Sequence, residues 1–225
     1  MHSLDDLRAG RLKGTRHLRL NAGLSEFPRE IFDLADSLEV LDLSGNGLSS
    51  LPDDLPQLHR LRILFCSGNP FQELPEVLGR CPALEMVGFK SCQIMSVPAA
   101  SLPPRLRWLI LTDNQVEALP ATLGRCGRLQ KLMLAGNRLR SLPPELAACS
   151  RLELLRIAAN QLTELPDWLL RLPRLSWLAY AGNPLCGSDD GVGRSARAAS
   201  PIPWRSLALQ DVLGEGASGV IHRAI

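Results

Sequence analysis

Leu38-Glu39-Val40-Leu41-Asp42-Leu43-Ser44-Gly45-Asn46-Gly47-Leu48-Ser49-Ser50-Leu51-Pro52 is the stretch that decides the fold. Its pattern is Leu38-x-x-Leu41-x-Leu43-x-x-Asn46-x-Leu48-x-x-Leu51-Pro52, and it recurs along the chain. After 23 residues come Leu61, Leu64, Cys66, Asn69, Phe71 and Leu74-Pro75, and after another 23 come Leu84, Val87, Phe89, Cys92, Ile94 and Val97-Pro98. A step of 22 gives Leu106, Leu109, Leu111, Asn114, Val116 and Leu119-Pro120. Two further steps of 23 give Leu129 to Leu142-Pro143 and Leu152 to Leu165-Pro166. A partial last copy holds Leu175, Leu178, Tyr180, Asn183 and Leu185. A degenerate first copy holds Leu18, Leu20, Leu24 and Phe27-Pro28, with one residue deleted before Leu24. A fixed period held this long is the mark of a solenoid, in which each unit stacks on the next.

The residue types explain the period. Leu41 and Leu43 alternate, so both point to one side of a short strand. The Asn column (Asn46, Asn69, Asn114, Asn137, Asn160, Asn183) falls where the chain turns inward. There an amide can satisfy buried backbone groups that would otherwise cost ~1–3 kcal/mol each. Pro52, Pro75 and their equivalents lack an N–H and suit a return path outside any sheet ladder. Leu55 and Leu58 plug the core from that side. At the N-terminus, Ser3 followed by Leu4-Asp5-Asp6-Leu7-Arg8 reads as a short capped helix over the open first repeat. No comparable helix is visible at the other end.

This pattern resembles the leucine-rich repeat, in its cytoplasmic 23-residue class with Leu-Pro after the strand, over roughly residues 15–186. The resemblance implies an α/β fold: a leucine-rich-repeat solenoid with a curved parallel sheet on the concave face, and short or 3-10 helices and extended turns on the convex face. It places a cap helix in 1–14 and eight repeats in 15–186. Cys92 replaces Asn in one copy, a substitution the repeat family accepts.

Composition agrees with a binding scaffold. The chain is 45% hydrophobic but only 4% aromatic, so its core is aliphatic, and its net charge of +2 gives no reason to invoke nucleic acid or an anionic membrane surface. Met1-His2-Ser3-Leu4-Asp5-Asp6 has no apolar stretch of a secretory signal, and no apolar run is long enough to span a bilayer. A cytoplasmic location is expected. Cys81, Cys126 and Cys149 share the column of Leu58 and Leu172, Cys66 fills a strand core position, and only Cys186 falls outside the scheme. They read as reduced structural thiols rather than a disulfide framework or a metal site. No Ser/His/Asp set, catalytic carboxylate pair or metal-ligand cluster stands within the repeats.

The third and fifth residues of each motif face the concave surface. The third-residue column reads His17, Val40, Ile63, Met86, Trp108, Lys131, Leu154, Trp177; the fifth reads Arg19, Asp42, Phe65, Gly88, Ile110, Met133, Arg156, Ala179. Most are apolar although the fold does not require it. Contiguous apolar surface rich in aromatics and Met marks interfaces. The expected partner-binding residues are therefore Val40, Ile63, Phe65, Met86, Trp108, Ile110, Met133, Leu154 and Trp177, centred on Phe65, Met86, Trp108, Ile110 and Met133. The competing reading is that they merely pack on one another along the sheet. The convex acids and the arginines near repeat junctions read as an ordinary solvated surface.

Residues 187–203 have the Gly/Ser/Ala/Pro composition of a flexible linker. Residues 204–225 then read WRSLALQDVLGEGASGVIHRAI, with strand character running into Gly214-x-Gly216-x-x-Gly219 and a β-rich Val220-Ile221 after it. A dinucleotide fold would place a helix directly after the glycines; a strand there is similar to the Gly-rich loop of protein kinases. That resemblance implies that Gly214, Gly216 and Gly219 admit ATP phosphates and that Leu213 and Ile221 enclose adenine. His222 stands where an aromatic is common. The kinase Lys, catalytic-loop Asp and Asp-Phe-Gly do not occur in this chain, so no phosphoryl transfer is expected from it; ATP and Mg2+ are implied only for a complete kinase domain.

The whole resembles the front part of bacterial proteins that join leucine-rich repeats to a serine/threonine kinase. Three functions are compatible with it. The solenoid recruits a protein partner or substrate to a kinase. Alternatively, the relevant unit is the kinase itself, this chain is its truncated front, and the repeats dock on its lobe. The third is a bacterial leucine-rich-repeat effector with a ubiquitin-ligase domain, which the kinase-like tail disfavours.

Overall fold

The computed structural model describes residues 2–187, 209–216 and 219–224. They fall into two units, one within Met1–Ser188 and one within Asp189–Ile225. Most of the stretch assigned to a linker, 188–203, lies outside the described residues.

In the first unit every repeat contributes one three-residue strand: β1 His17–Arg19, β2 Val40–Asp42, β3 Ile63–Phe65, β4 Met86–Gly88, β5 Trp108–Ile110, β6 Lys131–Met133, β7 Leu154–Arg156 and β8 Trp177–Ala179. They pair in sequence order, all parallel. The register is unbroken: Val40 faces Ile63, Ile63 faces Met86, and Met86 faces Trp108 across the shortened repeat as well. The 22-residue step therefore loses its residue on the return path and not in the sheet. There the segments are single 3-10 turns, such as Glu76–Arg80, Ala121–Arg125, Pro144–Ala148 and Asp167–Arg171, each entered from a proline. A parallel strand pair needs a crossover, and 3-10 turns supply the shortest one that still buries a leucine.

The core lies between the sheet and these turns. Leu41, Leu43, Leu48 and Leu55 have no exposed surface, and the same columns are buried in the following repeats up to the last, where Leu178 and Leu185 are partly buried and Tyr180 is exposed. Phe71 and Phe89 meet edge-on with ring centroids 5.0 Å apart. Cys66, Cys81, Cys126 and Cys149 are buried free thiols, and Cys186 is an exposed one. Burial pushes the thiols of Cys81, Cys126 and Cys149 up to about 11. At the N-terminal end, helix α1 (Leu4–Arg8) is capped by Ser3, whose side chain accepts from the Asp6 N–H, and its Leu7 joins the core.

The buried asparagines bind repeat to repeat. The Asn137 amide donates to the Leu111 carbonyl at 2.8 Å and the Leu134 carbonyl at 3.0 Å, while its oxygen accepts from the Val116 N–H at 3.0 Å. Asn69, Asn114, Asn160 and Asn183 repeat this arrangement. Cys92 interrupts it: its thiol reaches only the Cys66 carbonyl at 3.4 Å and the Lys90 carbonyl at 3.7 Å. Just before the asparagine the backbone swings to positive φ in every repeat from the second on. Gly45, Gly68, Gly136 and Gly182 meet this freely, whereas Ser91, Asp113 and Ala159 adopt φ of 52°, 57° and 51° with a side chain attached.

The second unit contains an antiparallel pair, β9 (Leu209–Gly216) and β10 (Gly219–Ala224), with Gly216 opposite Gly219 and Ile221 opposite Gly214.

These features fix two outcomes. Asn137→Ala strands three buried backbone groups and should cost at least ~2–3 kcal/mol, whereas Cys92→Asn and Ala159→Gly should each add ~0.5–1 kcal/mol; urea unfolding of the three variants measures this. Iodoacetamide at pH 8 should label Cys186 first, with Cys66, Cys81, Cys126 and Cys149 reacting only as fast as the solenoid opens; peptide mapping over time reads the order.

Candidate functional site

Because strand side chains alternate, the residues flanking each buried core leucine project from the concave face. Val40, Ile63, Phe65, Met86, Trp108, Ile110, Met133 and Leu154 are all half-buried there, and Trp177 on the last strand is 56% exposed. The register brings the nine expected residues onto one surface, in two adjacent columns. Part of each side chain's contact is with its neighbour in the next repeat, and part remains open to water.

Several contacts within this face show how it is built. A Cβ at Gly88 would stand 2.5 Å from the Phe65 ring, so the absence of a side chain lets Phe65 lie across the next repeat and bury Gly88. The Lys131 ammonium sits 3.8 Å from the centre of the Trp108 ring, a cation–π contact that fixes the indole. Arg19 pairs with Asp42 at 3.3 Å, which makes the N-terminal end of the face polar. The apolar stripe thus begins at Val40 and Ile63 and runs to Trp177, crossed by Lys131 and Arg156.

Sequence reasoning missed the rim beside this stripe. The residue before each third-column position reads Arg16, Glu39, Arg62, Glu85, Arg107, Gln130, Glu153, Ser176, and the stacking turns the alternation of the first five into a ladder of ion pairs. Arg16 pairs with Glu39, Arg62 with Glu85 at 3.0 Å, and Arg107 with Glu85 at 3.5 Å and with the Gln130 amide oxygen at 2.9 Å. The Arg16 guanidinium holds the Glu39 carboxyl below its ordinary value. At Glu85 burial acts the other way, but Arg62 and Arg107 prevail and its carboxyl is also lowered. Ladder and stripe together line a shallow groove of about 310 Å³, bounded by Glu39, Arg62, Glu85 and Arg107 on one side and Val40, Ile63, Met86 and Trp108 on the other. The signal in the sequence was the sign alternation at the repeat period from Arg16 to Arg107.

Residues 36–78 match the family model "Leucine Rich repeats (2 copies)", and residues 127–185 match "Leucine rich repeat". The first unit has the leucine-rich-repeat solenoid fold. Among solved structures it is similar to a leucine-rich-repeat protein of Leptospira interrogans, with 28% identity and a TM-score of 0.61 over 77% of this chain and 50% of that one. An internalin of Listeria monocytogenes, at 20% identity, shares the fold with a TM-score of 0.64 over 78% of this chain and 50% of that one. In sequence, mouse leucine-rich repeat and calponin homology domain-containing protein 1 is 31% identical over 112 residues, 48% of this chain and 16% of that protein. Human PH domain leucine-rich repeat-containing protein phosphatase 1 is 30% identical over 118 residues, 50% of this chain and 7% of that protein. The chain spans only a small part of the curated relatives it matches. Leucine-rich repeats generally mediate protein–protein interaction.

Of the glycine-loop residues, Leu213, Gly214 and Gly216 belong to β9 and Gly219 and Ile221 to β10. No helix among the described residues is long and apolar enough to cross a membrane.

The Phe65–Gly88 contact yields a direct check on the geometry of the face. Gly88→Ala should displace the Phe65 ring and destabilise the solenoid by ~1–2 kcal/mol, while the same change in the Phe65→Ala background should cost much less; a double-mutant cycle by urea unfolding measures the coupling.

Proposed function

We infer that this chain is a recruitment module: its concave face holds a protein partner for, or regulates, a serine/threonine protein kinase to which the repeats are joined. The observation that carries the binding half is the continuous half-open apolar stripe. A purely structural sheet surface would bury such side chains against each other or replace them with polar ones, because exposed apolar area gives nothing to a monomer in water. Trp108, Met133 and Met86 are also the residue types that supply most interface energy: large rings and adaptable thioethers. The site residues proposed are Val40, Ile63, Phe65, Met86, Trp108, Ile110, Met133, Leu154 and Trp177.

The kinase half rests on the tail. The glycines Gly214, Gly216 and Gly219 belong to two antiparallel strands, the backbone form that flanks a kinase glycine loop over nucleotide phosphates, and not to the start of a helix. Leu213 and Ile221 take the adenine positions by the same resemblance. ATP and Mg2+ belong to this proposal only through a complete kinase domain, since phosphoryl transfer also needs a lysine and metal-binding acids from other elements. A hairpin alone is marginally stable and holds no nucleotide usefully. The repeats themselves then act before chemistry, by holding a substrate or by docking on the kinase lobe. A cytoplasmic location, where six thiols stay reduced, fits this assignment.

Two experiments separate these parts. A partner recovered on the parent protein should bind the double variant Trp108→Ser/Met133→Ser at least ~10-fold more weakly, with the far-ultraviolet spectrum of the solenoid retained; equal affinity at retained fold would reduce the stripe to packing. Reading the coding frame past Ile225 should reveal a lysine-bearing strand, a His-Arg-Asp-like loop and an Asp-Phe-Gly, and an immediate stop would remove the kinase from the assignment.

A further inference from the structure

The charge of the solenoid is divided along its length. Residues 1–120 carry twelve Lys or Arg against fifteen Asp or Glu, whereas residues 121–187 carry nine against four. Pairing is divided similarly: among the described cations of residues 1–120, Lys13, Arg60 and Arg105 have no carboxylate within 4.0 Å and the others do. Arg8, Arg11, Arg16, Arg19, Arg29, Arg62, Arg80 and Arg107 each lie within 4.0 Å of a carboxylate. Among the described residues, no Lys or Arg beyond Arg107 forms an ion pair of that kind.

Four exposed arginines from the last repeats are stacked in one column. Arg105, Arg128, Arg151 and Arg174 each stand third in a four-residue turn that leads into a strand. These turns are closed by the N–H groups of Leu106, Leu129, Leu152 and Leu175, bonded to the carbonyls of Pro103, Cys126, Cys149 and Leu172 at 3.1, 2.9, 2.9 and 3.4 Å. With neighbouring strands about 4.8 Å apart, the column sets like charges in a close row, an arrangement that costs stability and that the fold does not need. Beside it, on the strands these turns enter, stand Lys131 and Arg156 among the apolar residues of the concave face. Glu153 shares this region and makes no ion pair with a described residue, while Glu85, which lines one hollow with Arg105, is already paired with Arg62 and Arg107.

We propose that the arginine column is the charged half of the binding face, and that the partner held there is a polypeptide segment that mixes acidic with aliphatic side chains. The inference rests on the concave-face reading and specifies the partner's chemistry. The acids meet Arg105, Arg128, Arg151 and Arg174, while the aliphatic side chains lie on Ile110, Met133 and Leu154. Guanidinium groups suit this role because they fork onto carboxylates and shed water readily. A nucleic acid fits less well: the acidic N-terminal repeats repel a phosphate backbone, and the chain's pI of 8.3 is below that of a nucleic-acid-binding domain. A second copy fits less well too, because many carboxylates of its N-terminal half, among them Glu39, Asp42, Asp54 and Glu85, are already paired internally.

The test uses the full chain and fluorescence anisotropy with labelled probes: a synthetic peptide repeating Glu-Leu-Ser, the same peptide with Gln for Glu, and a single-stranded oligothymidylate. The Glu-Leu-Ser peptide should bind best, weaken with salt, and lose at least ~10-fold in affinity in Arg128→Gln/Arg151→Gln/Arg174→Gln. The control Arg138→Gln/Arg140→Gln/Arg171→Gln removes the same charge from the same repeats and should leave binding within about twofold. Equal loss in both triple variants, tighter binding of the oligothymidylate, or no binding of the acidic peptide overturns the proposal. The Trp108→Ser/Met133→Ser variant separates the two levels. If it abolishes peptide binding while the column variant does not, the stripe stands and the column falls. If only the column variant matters, the arginines stand and the stripe reading falls.

Discussion

Burying the turn at the end of each strand leaves backbone carbonyls and N–H groups away from water, and the asparagine amides are what make that burial tolerable. Each amide reaches a carbonyl of its own repeat, a carbonyl of the repeat before, and an N–H of the repeat before. The bond pattern therefore runs between neighbours and never closes within one unit. No repeat can satisfy itself, and the sheet register, the buried leucine columns and the position of every concave side chain follow from that single dependence. Cys92 shows how far the constraint bends: one link is thinned to a weak thiol contact, and the strands on either side still pair in register.

Once the inner surface and the turns are committed to stability, the concave surface is the part of the molecule with freedom left. Its composition is then informative. The N-terminal strands use it for pairs that neutralise each other, Arg19 with Asp42 and the ladder from Arg16 to Glu85. The later strands carry Trp108, Ile110, Met133, Leu154 and Trp177, with cations interspersed. Trp108 under Lys131 and Phe65 over Gly88 are held rather than loose, so this surface has a defined shape.

The fold was legible because its signal is redundant. Six complete copies place the same residue types at the same spacing, so a degenerate copy such as Leu18–Pro28 is read by its neighbours' register. The strand residues, the buried cysteines and the concave columns all followed from that register. What the pattern did not disclose were relations between columns. That Gly88 is empty because Phe65 leans into it depends on a side-chain direction, and the ion-pair ladder depends on which residues a 23-residue step brings side by side. The junction arginines read as a mixed-sign surface when scanned along the chain, because the carboxylates interspersed with them in sequence stand apart from them in the fold. In the tail, local sequence suggested strand, glycines and strand, and a short hairpin is the backbone described there; the glycine spacing alone could not exclude a helix.

The ladder of amides has a further consequence for how such a chain can change over time. Since every asparagine link spans one repeat boundary with the same bonds, a unit of 23 residues can be inserted or removed at any boundary between intact copies without rebuilding the rest. The face would lengthen or shorten by one rung, and its columns would stay aligned. The width of the concave surface is thus a quantity that recombination within the gene can adjust, one strand at a time.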